Sequence, residues 1–291
     1  MSLLYDWLIG PFADFGFMRR ALAACLALSL GSGAMGVFLV LRRMSLIGDT
    51  MAHSVLPGAA IGFMLAGMSL PAMSLGGFLA GLLVALASGL VSRFTPQKED
   101  ASFASFFMIS LAIGVLLVST HGSAVDLMHV LFGSILAVDD GSLILMASVA
   151  STTLMVLAVI FRGLVAECFD PLYLRALNGR GGLYHVLFLT LVVLNMVSGF
   201  QALGTLMAVG LMMLPATAAR FWVREVWSLI CLATLVAFVS GYIGLVLSYQ
   251  FNWPSGPAIV LVAGALYLLS LAIGPRDGIL LPLLVRRHLR S

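Results

Sequence analysis

Charged residues are scarce in this chain: Asp, Glu, Lys and Arg make up 9% of 291 residues, whereas about 25% is usual in a soluble domain. Hydrophobic residues make up 62%, and the mean hydropathy is +1.13. Apolar runs of about 20 residues, the length at which a helix crosses a bilayer, recur from end to end. This composition excludes a water-soluble globular protein and predicts an all-α, polytopic membrane protein.

The chain also lacks the motifs of several enzyme classes. The three cysteines have no CxxC spacing, which argues against a thiolate metal site and a disulfide framework. There is no G-x-x-x-x-G-K-[ST] sequence for ATP, and no H-E-x-x-H sequence of a metalloprotease. No candidate nucleophile stands beside a base, and the net charge of +3 gives no indication of nucleic-acid binding. We therefore expect no enzyme activity and no stably bound cofactor.

Nine apolar segments are predicted to form the helices of a single integral domain that covers residues 1–291. They are 21–41, 44–66, 71–92, 101–120, 142–161, 183–200, 204–219, 227–250 and 256–274. Two adjacent segments, 183–200 and 204–219, are short. We therefore expect eight or nine crossings, with two or three spans broken or re-entrant. The helices then lie roughly between residues 21 and 274.

Basic residues predict how the segments are oriented, because loops rich in Lys and Arg stay in the cytoplasm. If the loops at 42–43, 93–100, 162–182 and 220–226 and the tail from 275 are inside, they hold thirteen of the fifteen basic residues. Only Arg19 and Arg20 then lie outside, near an outer loop that carries Asp139 and Asp140.

Asp49 and His53 lie four residues apart within an otherwise apolar run. Residues i and i+4 of a helix share a face, so the two side chains would point the same way. An ionisable side chain in hydrocarbon costs roughly 2.5–3.5 kcal/mol on insertion scales and usually faces a functional cavity. Because carboxylate and imidazole are ligands of first-row divalent metals, we predict metal contact. The alternatives are a proton relay and a buried Asp–His hydrogen bond that joins two helices.

Pro57 follows one turn after His53. A proline has no N–H to bond the carbonyl of His53, and its ring crowds that carbonyl. We therefore predict a bend in the helix at this point, with the His53 carbonyl facing a cavity or water.

A second acid–histidine pair, Asp126 and His129, falls in a predicted outer loop. Three residues apart, the two side chains could meet on a helical turn. The pair fits a polar turn that anchors helix ends, or a transient entry site for metal.

The longest predicted inner loop, 162–182, contains a short helix signal. Asp170 is a suitable N-cap, Pro171 suits the first helical position, and Gly179 suits the end. Leu174 and Leu177 are among its apolar residues. Such a helix is suited to dock on a partner; the alternative is a helix that lies on the lipid surface.

These residues resemble the signature of the membrane permeases of bacterial zinc, manganese and chelated-iron ABC importers. The resemblance runs in order over nearly the whole chain. It is carried by Arg42-Arg43-Met44-Ser45-Leu46-Ile47-Gly48-Asp49, Ala52-His53-Ser54-Val55-Leu56-Pro57-Gly58, Val125–Leu136, Phe169-Asp170-Pro171, Ala176-Leu177, Ser198–Gly204, Pro215-Ala216 and Pro254–Val260.

The resemblance implies a homodimer in the bacterial plasma membrane, two cytoplasmic ATPase subunits, and a metal-binding protein outside. It implies that Asp49 and His53 line the metal path. It also implies that the inner loop contacts the ATPase, here through residues 170–178 with Asp170, Leu174 and Leu177.

Ligand number gives an independent argument for two copies of the chain. Zn²⁺ takes four ligands and Mn²⁺ up to six, whereas one chain offers Asp49 and His53. Two copies around a twofold axis would supply four. We expect zinc as the transported metal, otherwise manganese, with iron also compatible. A proton-coupled secondary metal transporter, with Asp49 and His53 as the relay, is the alternative function.

Overall fold

The computed structural model describes residues 5, 7–67, 69–95, 99–121, 135, 138–169, 181–276 and 278–279. Most of these residues lie in helices, and none of them lies in a β-strand. The predicted all-α fold is therefore confirmed.

The helices are labelled in chain order over the described residues. They are α1 (Gly10–Asp14), α2 (Gly16–Leu41), α3 (Ser45–Ser54), α4 (Leu56–Ala66), α5 (Leu70–Phe94), α6 (Glu99–His121), α7 (Asp140–Phe169), α8 (Gly181–Leu203), α9 (Thr205–Arg220), α10 (Val226–Phe251) and α11 (Ser255–Ile273).

Helix α2 is the central helix of the bundle, and most of its side chains are buried. Glycines let its neighbours approach closely. A Cβ atom at Gly31 would overlap the side chain of Asn195 on α8, and one at Gly36 would overlap the main-chain carbonyl of Met212 on α9. Small residues at such contacts are how membrane helices pack without a hydrophobic driving force between them.

The core follows α2 from end to end as two buried clusters. One surrounds Met18 and Cys25 near the start of the helix, and the other surrounds Phe38 near its end. In the second cluster, the rings of Phe161 and Phe188 contact the Phe38 ring edge-on, at centroid distances of 6.1 and 6.4 Å. The outer faces carry exposed apolar side chains such as Val159, as expected of helices that face lipid.

Seven helices of the described chain are long and apolar enough to cross a membrane: α2, α5, α6, α7, α8, α10 and α11. Each of the nine predicted segments contains a helix. The two segments outside this set of seven are the shorter apolar helices α4 and α9, of 11 and 16 residues, and α4 directly follows α3. Of the predicted segments, 44–66 is therefore the broken one, divided into α3 and α4, and 204–219 is the short one, which forms α9.

The predicted start of the first long helix and both ends of the predicted loop 162–182 are wrong. Helix α2 begins at Gly16 rather than 21, so that Arg19 and Arg20 are helical. Helix α7 continues to Phe169, and α8 begins at Gly181, so the predicted loop 162–182 is helical at both ends. The charge of Glu167 does not end α7, because Arg42 neutralises it.

Two ion pairs join helix ends, and they fall into the two sets of loops that the basic residues predict. Arg42 pairs with Glu167 (Nη2–Oε2 2.8 Å), which brings the end of α2 and the end of α7 together. Arg20 pairs with Asp140 (Nη1–Oδ1 3.4 Å) at the start of α7. Arg20 and Arg42 are 22 positions apart on or next to α2, about 33 Å along a helix axis. The two pairs thus lie at opposite ends of the bundle.

Candidate metal path

Helix α3, which carries Asp49 and His53, is joined to α2 by a tight turn. The Met44 N–H donates to the Leu39 carbonyl (2.9 Å), and the Arg43 N–H donates to the Val40 carbonyl (3.1 Å). This is the Schellman pattern that ends many helices. Arg43 occupies its left-handed position, with φ of 60°. The turn fixes the start of α3 relative to the end of α2.

A break of one residue, Val55, separates α3 from α4, two residues before Pro57. Val55 keeps a right-handed helical backbone, and its N–H donates to the Met51 carbonyl (3.3 Å). Helix α6 packs on the interruption. The Ser110 hydroxyl donates to the Ser54 carbonyl (Oγ–O 3.2 Å), and a Cβ atom at Gly114 would lie 3.3 Å from the Pro57 ring. A serine and a glycine four residues apart thus fit α6 to the break.

Small residues allow the backbones of α4 and α5 to approach each other closely. A Cβ atom at Gly58 would overlap the Gly76 carbonyl, and one at Gly76 would overlap the Gly58 carbonyl. Gly77 and Gly81 of α5 form the surface against which Val55 packs, with hypothetical Cβ atoms 2.6 and 3.2 Å from its methyl groups. Gly77 and Gly81 thus allow close helix packing next to the break after His53.

His53 is half-buried, and its Nδ1 atom is fully buried. Its ring lies against the Phe107 ring of α6, with 5.7 Å between centroids. The nearby hydroxyls of Thr50 and Ser54 donate to carbonyls of their own helix, at 3.0 and 2.6 Å. Asp49 and His53, the two candidate metal ligands of α3, are four residues apart in this helix, about one helical turn.

Several predicted site residues lie outside the described part of the chain. These are Asp126, His129, Asp170, Leu174 and Leu177, together with the side chain of Asp49. Among the described residues, no three His, Cys, Asp or Glu side chains are grouped so that they could hold a metal ion. The described residues of a single chain therefore do not form a complete metal site.

The family model of the ABC 3 transport family matches residues 14–274. The chain belongs to this family. With seven helices of membrane-spanning length, this ABC 3 permease is a multi-pass protein of the bacterial plasma membrane.

Named relatives and a solved structure resemble this ABC 3 permease over almost its full length. The manganese import system permease protein ScaB of Streptococcus parasanguinis is 34% identical over 91% of this chain and 93% of the relative. The manganese transport system membrane protein MntC of Listeria innocua is 33% identical over 92% of this chain and 94% of the relative. The structure of PsaBC from Streptococcus pneumoniae in complex with Fab has a TM-score of 0.82 and 31% identity, covering 95% of this chain and 98% of the other.

Sequence reasoning missed the environment of Arg42, which it placed in a polar loop of the ABC 3 permease. The side chain is 8% exposed and forms an ion pair with Glu167, which is 9% exposed. The sequence did contain one indication of this pair. Glu167 lies in an apolar stretch before residue 170, and a buried carboxylate needs a cation. The partner could not be assigned from the sequence, because the two residues are 125 positions apart.

Proposed function

We propose that this chain is the membrane permease of an ATP-driven manganese importer. The observation that carries the proposal is the geometry of α3 and α4: a helix with Asp49 and His53 one turn apart ends at a proline-associated break inside a membrane bundle. In this proposal the chain forms the metal path and hydrolyses no ATP itself.

Manganese rather than zinc is the proposed cargo. The relatives ScaB and MntC are named for manganese import and manganese transport. Carboxylate and imidazole suit Mn²⁺ as well as Zn²⁺, and the three cysteines are dispersed, so the chain offers no cluster of the soft thiolates that favour zinc. The order expected from the sequence, zinc before manganese, is therefore reversed.

Two copies of the chain are proposed to complete the path. One chain provides a carboxylate at residue 49 and an imidazole at residue 53, fewer ligands than Mn²⁺ takes. A homodimer with both α3 helices near its axis would provide two of each. Incomplete coordination by each chain also suits transport, because a metal that must leave again cannot be held in a closed site.

Energy is proposed to come from a separate cytoplasmic ATPase that contacts residues 170–178. Asp170 would cap a short helix there, and Leu174 and Leu177 would fill a groove on the ATPase. An external metal-binding protein would deliver the metal to the outer face. The family match supports this assembly, and the sequence of the segment supports the contact.

Metal content of cells tests the proposal directly. A strain without this gene, grown in manganese-limited medium, should accumulate at least tenfold less manganese than the parent, with zinc unchanged. The wild-type gene should restore manganese, and Asp49→Ala should not. Asp14→Ala, which removes an exposed carboxylate at the end of α1, is the control and should restore it. A loss of zinc with manganese unchanged would overturn the choice of metal.

A further inference from the structure

A buried polar cluster connects three helices at the end of the bundle where the 170–180 segment begins and ends. Arg42 follows α2, Glu167 and Cys168 lie in the last turn of α7, and His185 lies near the start of α8. The Arg42 and Glu167 side chains are 8% and 9% exposed, and that of His185 is 12% exposed.

The guanidinium of Arg42 contacts both neighbouring helices at once. Nη2 donates to Glu167 Oε2 (2.8 Å), and Nε donates to Cys168 Sγ (3.3 Å) on α7. Nη1 lies 3.0 Å from His185 Nδ1 on α8. A guanidinium only donates, so Nδ1 is the acceptor in this contact. One face of the guanidinium also covers the Phe188 ring, 4.4 Å from its centroid.

Stability alone does not account for this cluster. Replacing a buried ion pair by apolar residues of similar size is often neutral or stabilising. What an arginine adds is a planar, always charged group whose donors point in fixed directions. Here those donors fix the position of α7 relative to α8, on the two sides of residues 170–180.

The same arginine is also next to the helix of the metal path. Only Arg43 and Met44 separate Arg42 from the first residue of α3. The two main-chain hydrogen bonds of the Schellman turn hold this link, and both Met44 and Ile47 are buried. The main chain between Arg42 and α3 is therefore short and hydrogen-bonded, so a shift of the Arg42 backbone also shifts the start of α3.

We propose that Arg42 is a positioning residue that transmits motion from the helix ends around residues 170–180 to α3, and so to Asp49 and His53. The proposal rests on the proposed function, because it assumes that an ATPase acts on the 170–180 region. Arg42 itself touches no metal; it acts through the position of α3.

The test uses the whole importer, purified with its own ATPase and metal-binding protein and reconstituted in liposomes, with Mn²⁺ as the probe. Manganese uptake and ATP hydrolysis are measured on the same samples, which gives the ATP used per ion. The variants are Arg42→Gln, Arg42→Lys and Glu167→Gln. The control is Arg20→Gln, which removes an exposed arginine whose ion pair with Asp140 lies at the opposite end of the bundle.

Arg42→Gln should retain the ATPase and hydrolyse ATP within twofold of wild type, while uptake falls at least tenfold, so that ATP used per ion rises at least tenfold. Glu167→Gln should change the ratio in the same direction. Arg42→Lys should recover only part of the coupling, because lysine keeps the charge without the planar fork. Arg20→Gln should match wild type.

An unchanged ratio in both Arg42→Gln and Glu167→Gln would overturn the inference, whether uptake stays normal or falls in proportion to hydrolysis. If Arg42→Gln does not assemble, Glu167→Gln decides. The proposed function fails separately: in that case the wild-type importer itself takes up no manganese with ATP.

Discussion

The proposed transport depends on two side chains of α3, the Asp49 carboxylate and the His53 imidazole. Their spacing and chemistry could be read from the sequence, because the helical period and ligand preferences are local properties. The role of Arg42 could not be read in the same way. Its partners Glu167 and His185 come from helices 125 and 143 positions away, and only the packing of α2, α7 and α8 brings them together.

At the residue scale, we expect Asp49→Ala and His53→Ala each to reduce manganese uptake at least tenfold. Each change removes a proposed metal ligand, while the helix itself is retained because alanine is the best helix former. Uptake is measured in cells, with membrane insertion checked by immunoblot of the membrane fraction. Thr50→Ala, which removes a hydroxyl bonded to its own helix, is the control and should transport normally. Normal uptake by both single variants would show that the metal passes elsewhere.

The break between α3 and α4 is the element on which the proposed metal path depends. Pro57 predicts it, because a missing N–H and a crowded carbonyl are local consequences of one residue. The contacts that stabilise the break are not local. Ser110 and Gly114 of α6, and Gly77 and Gly81 of α5, fit against it, and no sequence pattern states which glycine faces which helix.

At the element scale, Gly58→Ala should destabilise the protein, because the new methyl group would overlap the Gly76 carbonyl. Overpacking of this kind typically costs about 1–3 kcal/mol. Gly264→Ala in α11 is the matched control: its Cβ atom would have no neighbour within 4 Å, and alanine favours the helix by roughly 0.5–1 kcal/mol. Thermal unfolding in detergent should show a lower midpoint for Gly58→Ala alone. Equal midpoints would contradict the close α4–α5 packing.

The 170–178 segment gives a second prediction at this scale. Changing Leu174 and Leu177 together to Asp should detach the ATPase, since burying each leucine contributes roughly 1.5–3 kcal/mol. Co-purification of the ATPase from detergent extracts measures this. Leu8→Asp, an exposed leucine of the N-terminal region, should leave the ATPase bound. Undiminished co-purification with normal transport would move the contact to another loop, such as 220–226.

For the whole molecule, composition and apolar segments give the fold class and the nine helical segments. They do not give the ends of helices, because charges that are neutralised by distant partners do not stop a helix. Glu167 near the end of α7 is one such charge, and Arg20 near the start of α2, paired with Asp140, is another. Both pairs agree with the predicted grouping of loops into two sets.

Orientation of the whole molecule follows from the same grouping. In a background without native cysteines, cysteines at Gln97, Asn178 and Ser291 should resist a membrane-impermeant thiol reagent in intact cells. A cysteine at the exposed position Asp140 should react, because it lies at the opposite end of the bundle from Arg42. Reaction of the first three positions with protection of the fourth would invert the orientation.

The most direct test of the account is manganese uptake by liposomes that contain the permease, its ATPase and its metal-binding protein. We expect uptake that requires hydrolysable ATP, persists when a protonophore removes any proton gradient, and is lost in the Asp49→Ala permease. Uptake without ATP that follows an imposed proton gradient would contradict it, and would identify Asp49 and His53 as a proton relay instead.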